Sequence, residues 1–280
     1  MSNNTELKVC RPAAVPGDKL SPYPRVCSHR GFNTVAPENS MAAFGAAAAL
    51  GADELEMDIW PSKDGRLVVC HNRDVDHMSD GTGMISDLNW NEIEKFNIGR
   101  KFSPRFDGLR FPLLEHVLQK FGRQVIINLH IKSGEQSDEY DHDVFRSITG
   151  LIYEYDCADH VYIAGISDVM RTAIKIAPEL HRCILDGKKD FKLVDLAREF
   201  GCKKLQFARD WAVKEHPDCF NQKMIDDARA AGIRCNLFWS DDPAQAVEYI
   251  KRGIDTILTN DFFPVAEAVR KYRDKYCLNL

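Results

Sequence analysis

The sequence predicts an α/β protein folded as a (β/α)8 TIM barrel with a small insertion after the second strand. Two observations carry this. Short apolar runs alternate with helix-period segments along the 280 residues, as βα units with a parallel sheet require. Reactive side chains also stand at the ends of those runs, where a barrel gathers its βα loops. A barrel of about 250 residues forms one domain, and a composition of 44% hydrophobic and 28% charged residues supplies a large core. An open doubly wound sheet is the runner-up, because it uses the same alternation.

Residues 1–24 contain Pro12, Pro16, Gly17, Pro22 and Pro24 and read as an irregular N-terminal extension. The barrel domain then spans 25–280. Its strands are expected at 25–28, 55–59, 125–131, 161–164, 182–185, 204–207, 233–238 and 256–259. Helices are expected at 40–50, 144–155, 169–176, 191–200, 222–231, 243–252 and 263–276. Asn39 or Ser40 can cap the first helix, Asp190 the fourth and Asp241 or Asp242 the sixth, where Pro243 suits the first turn. The stretch 72–112 is too long for an ordinary connection. It holds a turn at 80–83 and a capped short helix within 87–94, and reads as a small insertion over the barrel mouth, with extra strand pairing around 66–70.

A net charge of -5 gives no general attraction to polyanions, and no Lys/Arg run forms a nucleic-acid patch. Nucleic acid is therefore excluded as a partner, and an anionic small molecule must be captured locally. Nine cysteines without a CxxC pair, several inside apolar runs such as 67–70, read as reduced core thiols. The first ten residues lack an apolar signal core, and nothing approaches the ~18 apolar residues of a membrane span. The expectation is a cytoplasmic protein without stable membrane insertion; the oligomeric state is open.

Glu56 and Asp58 are one residue apart on a predicted strand, so both point to one face while Leu55 and Met57 point to the other. Two carboxylates sharing an interior repel each other, and a divalent cation is the natural remedy. The alternative is a pair of solvent-facing acids on an edge strand. His130 and Lys132 obey the same period, so His130 can supply a third metal ligand and Lys132 a phosphate contact. Read blandly, they are a core histidine and a snorkelling lysine. His29 and His71 each follow an apolar run and form a candidate acid/base pair, and Arg30 offers a bidentate phosphate partner. Glu38 can reach the site, and Trp239 is either core or a wall against the substrate. The remaining histidines belong to no constellation.

Taken together, His29-Arg-Gly31, Pro37-Glu-Asn39, Glu56-x-Asp58, Lys63-Asp-Gly65, His71 and Thr259-Asn-Asp261 with Pro264 resemble the glycerophosphodiester phosphodiesterase family of phospholipase-C-like phosphodiesterases, over residues 25–265. The resemblance implies a barrel with a small domain inserted after the second strand. It makes His29 and His71 the catalytic acid and base, Arg30 and Lys132 the phosphate clamps, and Glu56 and Asp58 metal ligands. Members typically carry glutamate where this chain has His130, which removes one negative charge and shifts preference from calcium toward magnesium, manganese or zinc.

The expected reaction is metal-dependent hydrolysis of a glycerophosphodiester or related polyol phosphodiester to a phosphomonoester and an alcohol, a step of lipid metabolism. The expected cofactor is one divalent ion: magnesium first, with calcium, manganese and zinc as alternatives. Two other classes fit the fold, a phosphate-binding barrel without turnover and a metal-dependent sugar-phosphate isomerase or aldolase.

Overall fold

A computed structural model describes residues 22–134, 138–185, 192–209 and 218–276. The proposed extension therefore lies outside the described residues apart from its last three positions, as do Asp190 and His216. Eight parallel strands close on themselves: β1 (Arg25–Ser28), β2 (Glu54–Pro61), β4 (Ile126–Ile131), β5 (Val161–Gly165), β6 (His181–Leu185), β7 (Lys204–Ala208), β8 (Arg234–Phe238) and β9 (Thr256–Thr259). Closure comes from β1, which pairs with both β9 and β2. The barrel was expected, and the open sheet is ruled out because a closed ring has no edge strand. A ninth strand, β3 (Leu67–Val69), runs antiparallel to the far end of β2, in the stretch where extra pairing was expected.

The helices are α1 (Met41–Ala49), α2 (Trp90–Ile93), α3 (Leu114–Phe121), α4 (His142–Glu154), α5 (Ser167–Ile176), α6 (Leu193–Glu199), α7 (Gln222–Ala230), α8 (Pro243–Arg252) and α9 (Phe262–Tyr276). Their apolar stripes cover the outside of the barrel. On α4, Phe145, Ile148 and Ile152 recur at helical spacing and are fully buried, each contributing about 1.5–3 kcal/mol of burial. Ser40 caps α1 by accepting from the Ala43 amide, and Asp242 caps α8. Sequence periodicity missed α3, whose short apolar stripe begins directly after the strand-like 111–113.

The barrel interior departs from the branched apolar filling usual for this fold. At the N-terminal end, Glu54 is fully buried and meets Arg25 and Lys204 at 3.3 Å each, while the Tyr162 hydroxyl donates to it at 2.7 Å. This charged plug closes the bottom of the barrel. At the other end, residues 68–113 carry their own apolar cluster, including Val75, Ile85, Ile93 and Phe111. Among the described residues no helix is long and apolar enough to cross a membrane, and seven cysteines are buried free thiols.

Candidate active site

The site starts where β1 ends. Arg30 and Gly31 both take left-handed backbone, at φ +56° and +79°. Only glycine fits the second position, since a Cβ there would lie 2.7 Å from Ala43 of α1. The turn aims the Arg30 amide at Glu56 Oε2, 3.0 Å away. Its guanidinium donates to Glu38 Oε2 at 2.9 Å, with Nε 3.5 Å from Asp58 Oδ2.

Parallel pairing of β2 with β4 sets Asp58 beside His130 and Glu56 beside Asn128. The period-two expectation thus holds on both strands. His130 Nδ1 lies 2.9 Å from Asp58 Oδ1 and 3.8 Å from Glu56 Oε1, and Lys132 Nζ lies 3.0 Å from Asp58 Oδ1. Neither neighbour meets Asp58 Oδ1 with good hydrogen-bond geometry, so this buried oxygen is left without a hydrogen bond and both contacts act through charge. Its other oxygen accepts from Asn39 Nδ2 at 3.0 Å, and Asn39 Oδ1 accepts from the Asp58 amide at 3.2 Å. Asn39, expected as a possible helix cap, instead grips Asp58 from both sides. The capping belongs to Ser40.

Glu56, Asp58 and His130 present ligand atoms within 4.8 Å of one another. Two carboxylates, one imidazole and an orphaned buried oxygen suit a divalent cation. In the bare protein, cationic side chains balance the acids. Burial pushes the Asp58 carboxyl up, but the His130 imidazole and Lys132 outweigh it and hold the group well below the ordinary carboxylate range. His130 is opposed by burial and by Lys132, yet its contacts with Asp58 and Glu56 raise it above an ordinary imidazole. His71 goes the other way, with burial lowering it most.

The other two histidines of the site, His29 and His71, each meet an amide oxygen at Nδ1. For His71 the partner is Asn72 Oδ1 at 2.8 Å; for His29 it is Asn260 Oδ1 at 2.7 Å. An oxygen can only accept, so Nδ1 carries the proton and Nε2 is left for the site. The Asn260 amide is itself oriented. Its oxygen accepts from Asn33 Nδ2 at 2.8 Å, and its nitrogen donates to Asp241 Oδ2 at 3.1 Å. Asp241 also accepts from Trp239 Nε1 at 3.0 Å, while the Trp239 ring stacks near-parallel on His29 with centroids 6.4 Å apart.

A cavity of about 230 Å³ is lined by His29, Arg30, Glu56, Asp58, His71, His130 and Lys132, with Leu185, Gln206, Ala208 and Phe238 completing its walls. Two candidates fall outside that lining. Glu38 serves Arg30, and Trp239 backs His29 from behind. Sequence reasoning missed Asp241, Asn260 and Asn33 as supports. Asn260 lies in the Thr259-Asn-Asp261 motif, but nothing local signals which residue it holds.

Comparison with known proteins places the chain among phosphodiesterases. The glycerophosphoryl diester phosphodiesterase family matches residues 29–262. A glycerophosphodiester phosphodiesterase of Caldanaerobacter subterraneus is 32% identical over 256 residues, covering 88% of this chain and 98% of the relative. One from Bacillus subtilis is 25% identical and covers 89% of this chain and 87% of its own. Among solved structures, an Oleispira antarctica phosphodiesterase in complex with the product sn-glycerol-3-phosphate superposes with a TM-score of 0.77 at 20% identity, over 89% of this chain and 97% of that one. That likeness bears on the fold.

Proposed function

The chain belongs to the glycerophosphoryl diester phosphodiesterase family and is a phosphoric diester hydrolase, and from that premise we propose that it cleaves glycerophosphodiesters to a phosphomonoester and an alcohol by metal-assisted, two-histidine acid/base catalysis. The observation that carries the reading is the convergence of His29, Arg30, Glu56, Asp58, His71, His130 and Lys132 on one cavity. The structural relative holding sn-glycerol-3-phosphate supports the same substrate class.

In this reading Glu56, Asp58 and His130 hold one divalent ion. When bound, it supplies Lewis-acid chemistry, neutralising non-bridging phosphate oxygens and lowering the pKa of a substrate hydroxyl. The chain's own residues do the rest. Lys132 and Arg30 face the phosphate as clamps, each braced by a carboxylate so that its charge is fixed before substrate arrives. His71, kept neutral by burial, takes the proton from the attacking hydroxyl at Nε2. His29, oriented at Nδ1 by Asn260, has to enter the step as the imidazolium, and it then hands the Nε2 proton to the leaving oxygen while Nδ1–H stays on Asn260. If the attacking hydroxyl is the substrate's own, a cyclic phosphate forms and water reopens it with the two roles exchanged. Residues 72–112 are read in the same proposal as a small insertion that walls the mouth, and the first 24 residues as an extension without a chemical role.

The test is a panel of glycerophosphodiesters crossed with magnesium, manganese, zinc and calcium, read by phosphorus NMR. Accumulation of sn-glycerol-3-phosphate, lost on adding chelator, is the expected result. Intact diesters under every metal overturn it.

A further inference from the structure

A larger cavity, about 460 Å³, adjoins the first, and the two share the Lys132 side chain. It lies among the end of β2 at Trp60, residues 84–86, and the two ends of the β4–α4 connection at Ser133 and Tyr140. A phosphodiester carries two alcohol parts on one phosphorus. With one part in the smaller cavity, the shared Lys132 side chain puts the larger one within reach of the other. A third cavity, about 320 Å³, on the Glu38 and Asn260 side shares no lining residue with the first.

The polar groups of the larger cavity differ in what they have left to offer. Its two acids are engaged. Asp141 accepts from the Asp143 and Val144 amides to cap α4, and Asp168 accepts from the Val169 amide and the Ser133 hydroxyl. The donors are not. The Arg73 guanidinium lies 5.3 Å over the Trp60 ring and has no carboxylate or hydrogen-bond acceptor among the described residues. Its platform is fixed, since Trp60 Nε1 donates to the His71 carbonyl at 3.0 Å and the Arg73 carbonyl accepts from the Ile85 amide at 2.8 Å. Burial holds the Tyr140 phenol above its ordinary value, so it remains a neutral donor.

We propose that this cavity seats the leaving alcohol and that Arg73, laid on Trp60, selects alcohols bearing an anionic group, a carboxylate or a phosphate, over neutral and cationic ones. The inference rests on the diesterase reading above. A guanidinium over an indole keeps its edge free for a planar anion. Asp141 and Asp168 keep their negative charge, but their contacts hold them to the α4 and α5 amides and to Ser133, whereas the Arg73 guanidinium has no acceptor among the described residues.

Two matched substrate pairs isolate the anion. Glycerophosphoserine differs from glycerophosphoethanolamine by a carboxylate, and glycerophosphoinositol 4-phosphate differs from glycerophosphoinositol by a phosphate. The expected kcat/KM favours the anionic member of one or both pairs by about tenfold, the scale of one charge-assisted contact. Arg73→Gln collapses that ratio toward one, and Arg73→Glu inverts it. These ratios are internal to folded, active enzyme. Calorimetric titration of the same four compounds in chelator reads binding apart from turnover, and there too the anionic member binds tighter only while Arg73 is present. Cleavage and binding with no preference inside either pair, or a preference that survives Arg73→Gln, overturns the subsite and leaves the diesterase reading standing. Binding preference without cleavage of any diester upholds the subsite and sinks that reading instead.

Discussion

Asn260 Oδ1 sits 2.7 Å from His29 Nδ1 across 231 residues of chain. Because the amide is locked by Asp241 and Asn33, it fixes the protonated nitrogen of His29 without adding charge. Asn260→Leu is expected to lower kcat by about ten- to a hundredfold with little change in KM, the behaviour of a positioning residue. Nitrogen-15 NMR of His29 should show the neutral ring redistributing its proton toward Nε2. An unchanged tautomer in the variant means that another group orients the ring.

His29→Ala and His71→Ala are each expected to lower turnover by ~10² or more with the fold intact. Wild-type rates in either purified variant refute the acid/base roles.

The His71 imidazole lies below its ordinary value of 6.5 because burial disfavours the cation, helped by Lys132 and Arg30 and opposed by Asp58. The neutral, proton-accepting form therefore dominates at pH 7. As pH falls through the depressed value the ring charges, and kcat/KM should drop about tenfold per unit on a limb lying below pH 6.5. Lys132→Met removes one lowering influence, so the limb should move to higher pH while overall activity falls. A limb that stays put in that variant assigns it to another group.

Chelation should abolish turnover, and Glu56→Gln should weaken metal binding measured by titration calorimetry. His130 carries a raised value set against burial by Asp58 and Glu56, so a metal must displace its proton. Affinity should fall as pH drops, beginning above 6.5. His130→Glu replaces nitrogen with an anionic oxygen and should move preference toward calcium. An identical metal order in wild type and variant removes His130 from the ligand set.

Glu54 stands at the opposite end of the barrel, fully buried between Arg25 and Lys204. Glu54→Gln leaves two buried cations without their shared carboxylate and should destabilise the protein by about 3–5 kcal/mol in denaturant titrations. A shift well under 1 kcal/mol would show the plug held by its other contacts.

The sequence by itself determined the alternation of strands and helices, which suits a barrel and an open sheet alike; closure of the ring through β1 decided for the barrel. It also determined which reactive residues share a face. Glu56 with Asp58, and His130 with Lys132, follow from the two-residue period of a strand, a rule that acts over a few bonds. The motif at 29–31 likewise announced a special turn at the end of β1. Only the tertiary structure decided what those groups lean on. Closing the ring brings β9 against β1, and that alone delivers Asn260 and Asp241 behind His29. Nearer in sequence, the β1–α1 connection folds Glu38 onto Arg30, and the pairing of β1 with β2 brings Asn39 to Asp58, although a local reading offered Glu38 as a substrate contact and Asn39 as a cap. Partners separated by most of the chain leave no periodic trace, because their meeting depends on strand order and shear rather than on any neighbouring residue.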